Sequence, residues 1–244
     1  MACTEDACRN CGAALQGAYC SACGQRAFER TSLRTLLHGS LSQVLDIEGP
    51  LLRTFRAACV SPGGTARRWV DGERVRFVHP LKYALLASTL LAASVAILRP
   101  PISPFALTPG EDTERLYFIN GVLLPYLSLL NALLVAGLQR LLFLRSRFNV
   151  AECWMSGLYV GGQVSLIAAV LFPLGVNATF PGLAFTSVLG LLFTIWGVRD
   201  FYERPLLQIV GRGLLLGVVS GVMLNLLGAV VRVLLLATGL DPVS

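Results

Sequence analysis

Cys8-Arg9-Asn10-Cys11-Gly12 and Cys20-Ser21-Ala22-Cys23-Gly24 place four thiols in two matched turns, with eight residues between the halves. In each half two cysteines share one tight turn. The glycine after the second lets the backbone take positive φ and aim its amides at sulfur. Two such turns build a tetrahedral four-sulfur cage, so one structural Zn2+ held by Cys8, Cys11, Cys20 and Cys23 is expected. A module this small has almost no core of its own, and metal binding, about 10–16 kcal/mol in comparable peptides, would then be its folding energy. A single iron fits the same donors, but no residue nearby suggests an electron-transfer partner. Cys3, Cys59 and Cys153 lie apart and read as small hydrophobes.

Other chemistry is sparse. His38 and His79 are the only histidines, and no Ser-His-Asp set, paired carboxylates or phosphate loop occurs in a supporting context. No enzyme activity is therefore expected.

The elements that must carry the cage are apolar. The 244 residues are 55% hydrophobic and 14% charged, whereas soluble domains are about a quarter charged. Five stretches are long enough to cross a bilayer, at about 81–98, 116–138, 154–174, 179–198 and 213–237. Ten Arg and Lys82 lie before position 83, and further arginines fall in the second and fourth loops. The third loop and the last six residues hold no Lys or Arg. That alternation predicts a multi-pass protein of the bacterial inner membrane, with its N-terminus cytoplasmic and its C-terminus outside. The acidic start has no apolar h-region, so no cleaved signal peptide is expected, and cytosolic thiols favour metal over disulfides. Arginine outnumbers lysine 19 to 1, which is given no functional weight.

The chain thus divides into a ribbon (1–30), a cytosolic juxtamembrane segment (31–80) and a five-helix bundle (81–244). In the middle segment, Leu33, Leu36, Leu37, Leu41, Val44 and Leu45 have helical spacing. Leu51, Leu52 and Phe55 oppose Arg53 and Arg56 on a second short helix. Either the two helices lie on the bilayer or they pack as a small subdomain. Beyond Ser61-Pro62-Gly63-Gly64, Trp69 and Phe77 have the character of interface anchors. Arg67, Arg68, Arg74 and Arg76 are placed to meet headgroup phosphates, and Asp71-Gly72 reads as a turn.

In the bundle, Gly213, Gly217 and Gly221 recur at every fourth position ahead of Asn225, and Gly157 and Gly161 start a similar stripe. Close packing of the two stripes is expected, with the last span central, or homo-oligomerisation through either stripe. Asn120, Asn131, Gln163 and Asn225 are read as interhelical hydrogen-bonding groups.

A Cys-x-x-Cys, then Tyr-Cys-x-x-Cys-Gly-Gln, Asp46-x-x-Gly49, Thr54, Pro62-Gly63, Trp69, Gly72-x-Arg74 and Phe77-x-x-Pro80 form an ordered series. The series resembles the uncharacterised bacterial membrane family catalogued as domain of unknown function 3667, with Trp69 where tyrosine is expected. The resemblance runs from the N-terminal cysteines to Pro80, and the bundle is similar in hydropathy and position alone. It implies a zinc-ribbon membrane protein and supplies no activity.

The expected fold class is therefore an all-α integral membrane protein with a small zinc ribbon and interfacial amphipathic helices. Its expected role is an adaptor or scaffold whose ribbon meets a cytosolic or membrane protein, with the bilayer as its other partner. The alternative is a transporter or lipid-handling bundle, which would need a polar cavity around Asn131, Gln163, Asn225 and Arg232. Arg9, Arg26 and Arg30 with Tyr19 and Phe28 are too few to favour nucleic acid.

Overall fold

The computed structural model describes residues 7–27, 30–32, 50–99, 117–176 and 179–238. The helix expected around Leu33 to Leu45, together with Phe28 and the acidic first loop, lies outside these residues. Among the described residues, five helices are long and apolar enough to cross a membrane.

Helix α1 (Pro50–Val60) leads into α2 (Pro62–Asp71). Ser61 caps α2 by accepting from the Gly64 amide, and Pro62 takes the first position, where its missing N–H costs nothing. Gly72 closes α2 at φ 124°. Helix α3 (Pro80–Leu98) follows, and a π-helical turn (Phe118–Leu123) runs into α4 (Leu124–Leu142). Helix α5 (Val150–Leu171) opens on a capping box, in which Asn149 accepts from the Glu152 amide and Glu152 accepts from that of Asn149. Helices α6 (Phe180–Tyr202) and α7 (Leu206–Thr238) follow.

Four of the spans run farther toward the ribbon than hydropathy indicates. Helix α4 continues to Leu142, α5 begins at Val150, α6 continues to Tyr202 and α7 begins at Leu206. Apolar windows stop where Arg140, Glu152, Arg199 and Arg212 intrude, but the helical ladder needs no lipid and continues through them. These extra turns form a protein-packed layer. Phe143 stacks on Tyr202 at 3.9 Å, and Phe148 meets Phe201 at 4.3 Å.

Helix α5 is the hub, packed against α1, α2, α3, α4 and α6. The Tyr83 hydroxyl of α3 hydrogen-bonds the Gln163 side-chain oxygen of α5. Tyr159 of α5 hydrogen-bonds the Val78 carbonyl. The expectation of a central last span is thereby corrected. The most apolar stretch of α7 is 11% buried against 44% for α3 and α5, and Val222, Leu226 and Val230 face outward.

The glycine stripes also differ from expectation, because they do not pack on each other. Gly213 and Gly217 of α7 lie against Ile195 and Leu191 of α6, and Gly157 lies against Ala132 of α4. Gly161 and Gly221 have open space where a side chain would begin. Helices α4, α5, α6 and α7 pack as a ring, each on the next, around a partly open cavity of about 830 Å³.

A β-carbon at Gly213 would sit 3.1 Å from the Ile195 Cα, so Gly213→Leu is expected to push α7 off α6 and to cost about 1–3 kcal/mol. Thermal unfolding in detergent checks this, and an unchanged midpoint would remove Gly213 from the packing.

Of the polar groups inside the spans, Asn131 donates to the Ser220 carbonyl and hydroxyl of α7 at 3.1 and 2.9 Å. Gln163 donates to Cys59 Sγ at 3.1 Å. Asn225 is the exception: it is exposed and donates within its own helix to Gly221, so it does not join two spans.

Candidate metal centre

The two cysteine turns fold alike. In the first, the Cys8 amide donates to the Ala13 carbonyl and the Gly12 amide to the Cys8 carbonyl, both at 2.8 Å. In the second, the Cys20 amide donates to Gln25 and the Gly24 amide to Cys20, also at 2.8 Å. Gly12 and Gly24 take φ of 78° and 71°, the conformation their positions after each second cysteine demand. Single antiparallel bridges, Ala7 with Ala14 and Tyr19 with Arg26, close the base of each turn.

The four sulfurs converge within 4.8 Å of one another. Cys8 and Cys23 approach to 3.7 Å, and Cys11 and Cys20 to 3.5 Å. Tetrahedral bonds of about 2.3 Å put neighbouring sulfurs about 3.8 Å apart, so the donor set fits a four-thiolate metal ion. The surroundings push two of the thiols in opposite directions. The Gln25 amide beside Cys23 is the main influence drawing that thiol down to about 7. At Cys11 the Ala13 amide pulls the same way, but the neighbouring thiols prevail and push it up to about 12. Crowded sulfurs that cannot all ionise alone can all do so around a cation.

The ribbon is fastened to the helices. The buried Gln25 side chain donates to the Gly72 carbonyl at 2.6 Å and accepts from the amides of Arg74 and Val75 at 3.1 and 3.3 Å. Arg30 makes a bidentate ion pair with Glu152 of α5 at 3.0 and 3.1 Å. Asn149 donates to the Thr31 carbonyl, and Arg74 to the Thr31 hydroxyl, both at 2.9 Å. The α2–α3 turn and the start of α5, far apart in sequence, are thus joined through the four-cysteine ribbon and the residues just after it.

The residues expected at the membrane interface mostly serve this assembly. Trp69 is 4% exposed and Phe77 2%, with Arg74 over Trp69 at 5.1 Å and Arg68 over Phe77 at 4.9 Å. Arg67 pairs with Glu203 of the α6–α7 turn at 3.0 Å. Arg68 pairs with Glu73 at 2.6 Å, and Arg76 reaches Glu73 at 3.6 Å. Both rings therefore face protein instead of lipid, because α5 and α6 supply the burial that a local pattern cannot reveal. On α1 it is Thr54 and Ala58 that are buried, while Leu52 and Phe55 are exposed. The Thr54 hydroxyl accepts from the Val78 amide at 2.9 Å.

His79 caps α3, its Nδ1 accepting from the Leu81 amide at 3.3 Å, and meets the edge of Trp69 at 5.1 Å. Burial, and secondarily Arg74, pushes its pKa down to about 4. The unfolded value is about 6.5, so the stabilising contribution is complete above that pH and is lost as pH falls toward 4, by about 3 kcal/mol in total. His79→Asn, which keeps a capping acceptor, is expected to flatten this part of the pH dependence of the unfolding midpoint. An unchanged slope would place the titration elsewhere.

Sequence reasoning did not foresee the roles of Gln25, Glu152 and Asn149. The Gly24-Gln25 step was visible in the motif series, and the capping box was visible as Asn149-x-x-Glu152. Neither signal says what it touches. The motif residues Thr54, Gly63, Trp69, Gly72, Arg74 and Phe77 all take part in the packing that joins ribbon, α2 and bundle.

No curated protein and no solved structure matches the chain. Residues 48–92, which hold α1, α2 and most of the first span, match the family model described as Protein of unknown function (DUF3667), the family the ordered motifs resemble.

Proposed function

We propose that this is a scaffold of the bacterial inner membrane: a five-helix bundle carrying a rigid, zinc-dependent cytosolic head that binds a partner protein. The observation that carries this reading is the docking of the ribbon. Held by Gln25, Arg30 and the Thr31 contacts, the ribbon has one orientation, and Tyr19, 64% exposed, points away with Arg26 beside it. A surface ordered in advance avoids the entropy of ordering it on binding. Zinc is the proposed ion because four thiolates at tetrahedral spacing suit it and a reducing cytosol keeps them available. The proposed orientation, N-terminus inside, rests on the arginine-rich second and fourth loops.

The test is purification from native membranes in mild detergent. Wild type is compared with Tyr19→Ala/Arg26→Ala, which spares the fold, and with Cys8→Ser/Cys11→Ser at matched membrane levels. Proteins retained by wild type and lost from both variants are the expected result. Retention by both overturns the scaffold reading.

A further inference from the structure

We infer that the cavity within the α4–α7 ring is a binding site for the hydrocarbon portion of an uncharged, hydroxyl-bearing lipid. This goes beyond the scaffold reading and does not depend on it.

Among the described residues, the wall carries no Asp, Glu, Lys, Arg or His, which disfavours a charged headgroup in the interior. Three of its hydroxyls are spent on the helices themselves. Ser88 and Ser128 donate to the Pro125 carbonyl at 3.0 and 2.6 Å, and Thr194 donates to Gly190 at 2.9 Å. A buried water needs two to four polar partners, and the stretches of aliphatic wall such as Leu91, Val95, Leu124 and Leu129 favour hydrocarbon over water. The cavity lies among bilayer-crossing helices and is partly open, so its nearest source of hydrocarbon is the membrane. Its 830 Å³ falls within the range of about 300–1,000 Å³ typical of ligand sites.

Glycine makes the room. Gly161 is exposed at the middle of α5 although Val160 and Gly162 beside it are buried, and Gly221 is likewise exposed on α7. Neither would meet an atom within 4 Å on gaining a β-carbon, so their absent side chains serve space and not helix contact.

Two polar groups of the wall remain unmatched among the described residues, Gln139 Nε2 and Asn131 Oδ1. Asn131, 4% exposed and part of the wall, uses its Nδ2 on Ser220, while its Oδ1 has no hydrogen-bond partner there. A buried carbonyl without a donor is rare enough to require an explanation. A lipid hydroxyl reaching it after a small side-chain adjustment would supply that donor.

The probe is a long-chain alcohol with a diazirine in its chain, photolysed with the full-length protein in mild detergent and mapped by peptide mass spectrometry. Labelling of α5 and α7 around Gly161 and Gly221 is expected. It should fall at least about tenfold in Gly161→Leu and, independently, in Gly221→Leu. Gly211→Leu, outside the cavity and also in open space, should label as wild type does. Unlabelled hexadecanol should compete better than hexadecane in wild type and no better in Asn131→Leu. Farnesol tested beside hexadecanol separates isoprenoid from acyl-type occupants. Labelling that survives both leucine variants, or is confined to the outward Val and Leu residues of α7, would mark it as surrounding lipid and overturn the site.

Discussion

Replacing Cys8 and Cys20 together with serine is expected to unfold the ribbon and, with it, to loosen the distant turn between α2 and α3. These are the two buried sulfurs of the four, and on the proposed zinc reading metal ligation, worth about 10–16 kcal/mol in comparable modules, would order so short a chain. Once the Cys20–Gln25 loop opens, Gln25 leaves the Gly72 carbonyl and the amides of Arg74 and Val75. Buried backbone groups that lose their partners cost about 1–3 kcal/mol each. The double variant should therefore show faster amide exchange at Arg74 and Val75 and quicker proteolysis within residues 7–32, while the five spans stay assembled through α5. A chelator added to wild type should reproduce the pattern. If exchange at Arg74 and Val75 is unaffected, the ribbon is a passenger on the head and not its clamp.

Gly63→Ala is expected to be the most damaging single methyl in the head formed by the ribbon, α1 and α2. A β-carbon at Gly63 would fall on the Gly197 carbonyl, 2.7 Å from its carbon and 2.8 Å from the Phe201 nitrogen. Both obstacles are backbone of α6, so no rotamer change relieves them and α2 must withdraw. Withdrawal would part the Ser61 hydroxyl from Asp200 and open the packing around Ala66 and Trp69, which lie in the main core cluster. A loss of about 3 kcal/mol or more follows from overpacking plus the broken contacts. Gly211→Ala in α7 is the matched control: with open space around it, it should be neutral or stabilise by up to about 1 kcal/mol through helix propensity. Thermal unfolding of the two variants in the same detergent reads the difference. Equal midpoints would mean that the α2–α6 approach is looser than the structure has it.

The site and the fold were legible to different depths. The four ligands were readable because a Cys-x-x-Cys-Gly turn is settled by its own few residues. The five spans were readable because hydropathy acts on each stretch separately. Span ends were not, since α4, α5, α6 and α7 keep their helical ladders beyond the apolar windows into a layer where protein replaces lipid. The same blindness affected Trp69 and Phe77. An aromatic residue beside arginine has the same local pattern whether it meets a headgroup or a core, and α5 and α6 arrive from distant parts of the sequence to make it core.

The glycine stripes mark that boundary most clearly. Four-residue spacing correctly put small residues on one face of each helix, but a face without side chains can receive a neighbour or border a space. Gly213 received α6, whereas Gly161 and Gly221 border the cavity. By itself the sequence determined the four-cysteine cluster, the helical class and the five helices, among the described residues, long and apolar enough to cross a membrane, because each depends on residues close together along the chain. Tertiary structure alone decided that the ribbon clamps the α2–α3 turn to α5, that α5 is the hub and that the bundle encloses a cavity, because each depends on surfaces brought together from distant parts of the chain.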